Sequence, residues 1–292
     1  MPREFDLIHW IRTQQTTSES VPLAAGDDLA VLKFAANDLV IVGIDQVLDG
    51  VHFLSTEHPP ELIGRKAMNR NLSDCAAMAC LPAAAVVSFA LPRGIDPDFV
   101  KRLYTGLKEA GDAFGCPIVG GDTGSWDGKL ALSVAILGRS AGIEPVRRSG
   151  ARPGDGIYVT GPLGGSILGR HLTFTPRVRE ARELVARGPI SAMIDLSDGL
   201  SRDLGHICRE SGVGAILEAA SIPIHDDARR LNDERSALEH ALSDGEDHEL
   251  CFTSGPREDA IRIGTVTAER QLLIRDGNAA RPLVATGFEH RF

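Results

Sequence analysis

The stretch AMIDLSDGLSRDL, residues 192–204, opens as a buried strand and then sets Asp195 and Asp198 three positions apart, where that strand must give way to a helix. Two carboxylates at such a turn have two uses. They serve the backbone, with Ser197 or Asp198 capping the new helix, or they serve something positively charged. Outward from this turn the same alternation continues. GIYVTG (156–161) reads as a strand, helical periods follow near 164–170 and 177–187, a helix starts at about 199, and GAILEAASIP (214–223) returns to apolar strand-like sequence. Upstream, LVIVGI (39–44), AVVSFAL (85–91) and LALSVAILG (130–138) alternate with helical segments at 61–79 and 97–114. The pattern is mixed α and β. RRSGARPGDG (147–156), rich in Gly, Pro and Arg, separates the halves, so two domains are expected, 1–145 and 146–292.

Composition narrows the function classes. With 43% hydrophobic and 24% charged residues the chain is neither disordered nor fibrous. A formal charge of −9 without a basic stripe argues against nucleic acid as a partner, although an acidic protein still binds nucleotides when metal ions sit between the charges. Five cysteines, odd in number and never spaced C-x-x-C, fit neither a disulfide framework nor a zinc knuckle and point to a reducing cytoplasm. MPREFDLIHWIRTQQ lacks the apolar core of a signal peptide. AAMACLPAAAVVSFALP (76–92) is short for a bilayer and broken by Pro82, so it reads as a helix end followed by a buried strand, and no membrane association is expected.

Several common motifs are missing. The Gly128-Lys129 pair is followed by Leu130 and has no upstream P-loop glycine, and Phe252 stands where a zinc protease starting at His248-Glu249 needs its second histidine. No G-x-S-x-G elbow is present. GPLGGS (161–166) suits an anion or tight packing equally well.

Carboxylates instead recur in one setting, at turns or ends of apolar segments: AGDDLAVL (Asp27, Asp28), VGID (Asp45), RNLSDCAAM (Asp74), IVGGDTG (Asp122) and IDLSDG (Asp195, Asp198). One such Asp is an ordinary turn or cap residue. If several converge, they repel by about 4 kcal/mol per close pair at an effective dielectric near 20, and stay ionised only around cations. Ligation by oxygen alone suits Mg²⁺, usually shared with substrate phosphates, which makes ATP the leading ligand and phosphoryl transfer the leading chemistry.

The order and wording of these turns closely resemble the thiamine-monophosphate kinase family. The likeness runs through GDD, DGVHFL, KAMNRNLSDCAAM, VGGDTG, RRSGARPGD, AMIDLSDGLSRDLGHI, GEDHELCFT and GFEHRF, nearly the whole chain. It implies an α+β, two-domain architecture like that of aminoimidazole-ribonucleotide synthetase. In a homodimer the N-terminal domains would pair into a shared β-barrel, and the nucleotide would lie between the domains. It also implies ATP-dependent phosphorylation of thiamine monophosphate to thiamine diphosphate with several Mg²⁺ ions. Metal and ATP-phosphate binding would fall to the first domain, nucleotide and substrate binding to the second. By the same resemblance the metal ligands are Asp28, Asp45, Asp74, Asp122, Asp195 and Asp198. Gly121 and Asp122 would approach the ATP phosphates, Arg148 would pair with them, and Ser197 would help place the nucleotide. His52, Glu246 and Phe288 fall on the substrate side; His52 also reads as a satisfied core histidine and Phe288 as an anchor. A phosphomonoester with a second pKa of about 6 is already mostly dianionic, so no general base is expected.

The chain departs from the family at Gly43 and Ile44, which stand where hydroxyl residues normally precede the second-motif Asp. Asp49 and His248 replace residues usually larger or aromatic, and the C-terminal domain is shorter. Two other readings stay open: a related ATP-dependent synthetase or kinase with a different acceptor, and a catalytically silent nucleotide-binding protein.

Overall fold

In this computed structural model, residues 10, 11, 13–15, 17–21 and 32–288 are described. Asp27 and Asp28 lie outside the described residues. The chain divides into two compact units, one ending at Glu144 and the other beginning at Pro145, with Ala76–Ala79 counted in the second.

In the first unit the elements run β1 (Val40–Leu48), α1 (Pro60–Ala77), β2 (Leu81–Pro92), α2 (Pro97–Asp112), β3 (Ile118–Trp126) and β4 (Ala131–Arg139). The strands form one sheet in the order β1-β4-β2-β3, antiparallel except for the β2–β3 pair. Strict alternation in β4 buries Leu132, Val134 and Ile136 on one face. Helix α2 starts where the Asp96 carboxylate accepts the Asp98 N–H and Pro97 supplies a preset φ, and its Val100, Leu103, Tyr104 and Leu107 make a buried stripe. The two helices cross at glycines. A Cβ on Gly64 would sit 2.0 Å from the Leu103 carbonyl oxygen, and one on Gly106 would sit 1.9 Å from that of Glu61.

The second unit contains β5 (Gly156–Val159), a 3₁₀ turn (Ser166–Leu168), α3 (Arg170–Thr173), α4 (Val178–Arg187), β6 (Ala192–Asp195), α5 (Leu200–Ser211) and β7 (Gly214–Glu218). These are followed by α6 (Asp226–Arg230), α7 (Ala237–Ser243), β8 (Leu250–Ser254), β9 (Ile261–Thr267), β10 (Leu272–Asp276) and β11 (Ala279–Pro282). Seven strands join in the order β11-β10-β7-β9-β5-β8-β6. Leu200, Leu204, Ile207 and Cys208 of α5 enter the core with Ile157, Ile194, Leu217 and Cys251. Among the described residues no helix is long and apolar enough to cross a membrane. Residues 76–92 are the end of α1 followed by β2, as their composition indicates.

Candidate functional site

In the first unit, regular secondary structure positions the acids, and three of them are not in turns. Asp45 lies inside β1, Asp74 inside α1 and Asp122 inside β3. The reason is local: glycines beside Asp45 and Asp122 imitate turn sequence, while ladder pairing holds both segments extended. Asp45 accepts a hydrogen bond from Arg70 Nε at 3.0 Å, one helical turn before Asp74, so Asp45 and α1 are brought together. Asp122 is not with them. Its row across the sheet is Asp122–Ser88–Ser133–Gln46, while the row of Asp45 is Asp45–Val134–Val87–Gly121. Adjacent rows point to opposite faces, and three strand spacings separate the two acids by about 14 Å. A Cβ on Gly121 would lie 2.0 Å from the Val87 carbonyl oxygen, so strand packing alone requires this glycine. Gly43 faces Ile136 across the ladder, and Ile44 is 68% exposed; neither side chain brings an oxygen to Asp45.

His52 is buried, its Nδ1 accepts the Leu48 N–H at 3.1 Å, and its carbonyl accepts from the fully buried Lys66 at 2.6 Å. With Nδ1 an acceptor, the ring proton sits on Nε2. Asp49 caps a turn, accepting both the Ser55 N–H and hydroxyl.

In the second unit loops do the positioning. Asp195 ends β6, and each of the next three carbonyls is claimed from elsewhere in the chain: Leu196 by the His248 N–H and Ser197 by that of Glu246, both at 2.8 Å, and Asp198 by that of Phe288 at 3.1 Å. Asp195, Ser197, Asp198, Glu246 and Phe288 are thereby assembled around one turn. Neither Ser197 nor Asp198 caps α5. Asp203, from inside the helix, reaches back and accepts the N–H groups of Asp198 (3.0 Å) and Gly199 (3.1 Å). Gly287 is required where the tail crosses, since a Cβ there would lie 2.1 Å from the Asp198 carbonyl oxygen.

The ligand atoms of Asp198, Asp203 and His206 lie within 4.8 Å of one another. Burial pushes the Asp203 carboxyl up to about 8, and the charges of Asp195 and Asp198 add to it. Two carboxylates and an imidazole nitrogen this close together could hold a divalent cation. Positive charge stands beside them: burial and then Arg209, Arg148 and Arg202 hold His206 below its ordinary value. Arg148 is exposed, on a segment tied to the end of α5 through the Ser211 hydroxyl. Carboxylates next to arginines are a combination that could hold phosphates carrying a metal.

The turn GPLGGS holds an anion of the chain's own making. The Gly164 N–H donates to Asp247 and the Gly165 N–H to Asp244, leaving those donors engaged by side chains. Residues 246–249 are gripped in succession: Glu246 by His171 (3.3 Å), Asp247 by Arg170 (3.0 Å), the His248 ring by Phe174 (centroids 4.0 Å apart), and Glu249 by Arg177 Nε (2.9 Å). Sequence reasoning missed this clamp and the cap at Asp203. The available signal was four consecutive ionisable residues before a buried strand, each of which needs a partner.

Residues 26–140 match the AIR synthase related protein N-terminal domain, and residues 152–276 the corresponding C-terminal domain. The fold and site thus define a two-domain protein of the AIR synthase-related class. Thiamine-monophosphate kinase of Rhodopirellula baltica is 40% identical over 267 residues, 88% of this chain and 84% of the relative. The crystal structure of thiamine-monophosphate kinase from Stenotrophomonas maltophilia K279a superposes with a TM-score of 0.83 at 32% identity, covering 94% of this chain and 98% of that one. AaThiL complexed with AMPPCP and TMP superposes at 0.80 with 29% identity, covering 99% and 97%. The chain belongs to the thiamine-monophosphate kinase family.

Proposed function

We propose that this chain transfers the γ-phosphoryl group of ATP to thiamine monophosphate, giving thiamine diphosphate and ADP by direct in-line displacement. The observation that carries this reading is the likeness, over nearly its whole length, to a protein complexed with AMPPCP and TMP. We read Asp45, Asp74, Asp122, Asp195 and Asp198, with Asp28, as the residues that hold magnesium; Mg²⁺ supplies charge neutralisation between the two phosphate-bearing substrates. Asp122 and Gly121 serve the ATP phosphates apart from the Asp45 set, as their separation across the sheet suggests. Arg148, beside Asp198 and His206, pairs with a phosphate. Ser197 helps place the nucleotide, with its carbonyl already fixed by Glu246. On the acceptor side we place His52, Glu246 and Phe288, whose ring suits a flat heterocycle. The acceptor dianion needs no base.

The first unit also supports a homodimer closed through a β-barrel. Val42 is 70% exposed on β1, beside Val40 and Ile44 on the same face, an apolar strip on an edge strand that a second copy would cover. The five buried free thiols support a cytoplasmic setting. The test is incubation of purified protein with ATP, Mg²⁺ and thiamine monophosphate, followed by mass detection of thiamine diphosphate and ADP. ATP binding without ADP formation, for this acceptor and a panel of other phosphomonoesters, overturns the assignment. Sedimentation of the same sample at monomer mass overturns the pairing.

A further inference from the structure

The surroundings of His248 differ from those of an ordinary core side chain. The ring is buried and stacked on Phe174 at an interplanar angle of 15°. Its Nδ1 lies 3.3 Å from Asp195 Oδ2, and its Nε2 is buried with no hydrogen-bond partner among the described residues. The backbone adopts φ +52°, a left-handed conformation unfavourable for a side chain of this size, and its N–H is spent on the Leu196 carbonyl. This turn of the backbone sets the imidazole against Asp195.

The Nε2, without a partner among the described residues, fixes the direction of the bond. A proton on Nε2 would be a buried N–H with no acceptor, and in the neutral ring it would turn the Nδ1 lone pair toward a carboxylate. A proton on Nδ1 removes both penalties and leaves only a lone pair unfilled at Nε2.

We propose that His248 is a positioning residue, donating Nδ1–H to Asp195 so that the carboxylate plane is set for a divalent cation. This rests on the reading of Asp195 as a cation ligand. Such a device is expected of a partner behind a ligand: it fixes orientation without touching the ion. Phe174 contributes by holding the ring plane, and the bonds of Glu246 and His248 to the 196–197 carbonyls keep the loop in place.

Two measurements on the full chain test it. Long-range ¹H–¹⁵N spectra, with His248 assigned by the signal lost in His248→Asn, are expected to show a protonated Nδ1 and an unprotonated Nε2; a proton on Nε2 overturns the proposal. Mn²⁺ titration followed by electron paramagnetic resonance is expected to give about tenfold weaker binding in His248→Phe, which keeps the stack. His248→Asn, whose amide reaches the Nδ1 position, should restore affinity to within about threefold, whereas His248→Gln, which reaches the Nε2 position, should not. Unchanged affinity in His248→Phe, or equal affinity in the Asn and Gln variants, refutes positioning by His248 alone. A wild-type chain that binds no Mn²⁺ removes the ligand reading of Asp195 as well. Thermal melts confirm that each variant is folded.

Discussion

The two units hold their acids by different means. In the first, Asp45 and Asp122 occupy ladder positions and Asp74 a helix, so their places follow from register and helical period. In the second, Asp195 and Asp198 flank a turn whose carbonyls are tied to residues 246, 248 and 288, far away in sequence. Acids on regular elements are replaceable without loss of fold, because the backbone carries the geometry. Acids on a tied turn depend on their neighbours, so damage to a distant partner is felt at the site.

The largest effect should come from the first kind. Asp74→Asn and Asp122→Asn are each expected to lower turnover by about a thousandfold or more at saturating Mg²⁺, with a melting temperature within about 2 °C of wild type. Near-normal turnover in either variant would remove that residue from the site. A direct contrast between the units follows. Arg170→Met leaves Asp247, its side chain 1% exposed, buried without its cation and should cost about 3 kcal/mol in urea unfolding. Arg70→Met breaks a pair whose Asp45 side is 32% exposed and should cost about 1 kcal/mol. Equal losses would erase the distinction drawn between ladder and loop.

The smallest effect is in pH. Burial lifts Asp247 from 3.8 to about 7 against the pull of Arg170, so the folded chain keeps a proton that the unfolded chain releases. The associated stability is fully present below about pH 4 and is lost as pH rises through about 7. Asp203, raised to about 8, acts with the same sign. Melting temperature should therefore fall between pH 5 and pH 7.5, and Asp247→Asn should flatten that slope; an unchanged slope would assign it to other groups.

Much of the architecture was legible because periodicity survives where packing is regular. LVIVGI and LALSVAILG became β1 and β4, and the helical period from 97 became α2, since one buried face per element writes itself into the sequence. IVGGDTGSW was misleading. Its Gly121 reflects close approach to the neighbouring strand, which a single chain cannot distinguish from a turn. The cap of α5 was hidden for a related reason: Asp203 reaches backward from within the helix, whereas local rules look for a side chain at its start. The clamp on residues 246–249 comes from α3 and the segment after it, some seventy residues earlier, where nothing local marks Arg170, His171, Phe174 or Arg177 as partners.

The segment from Leu283 to Phe288 lies against α5, with the Ser201 hydroxyl bonded to Thr286 and the Phe288 N–H closing over Asp198. During synthesis every strand of this unit emerges before that segment does. A nascent or proteolytically clipped chain ending at Ala285 would thus have its sheet and helices in hand yet lack the last fastening of the Asp198 turn. Loss of those few residues would be invisible to a far-ultraviolet spectrum and plain in a ligand-binding assay.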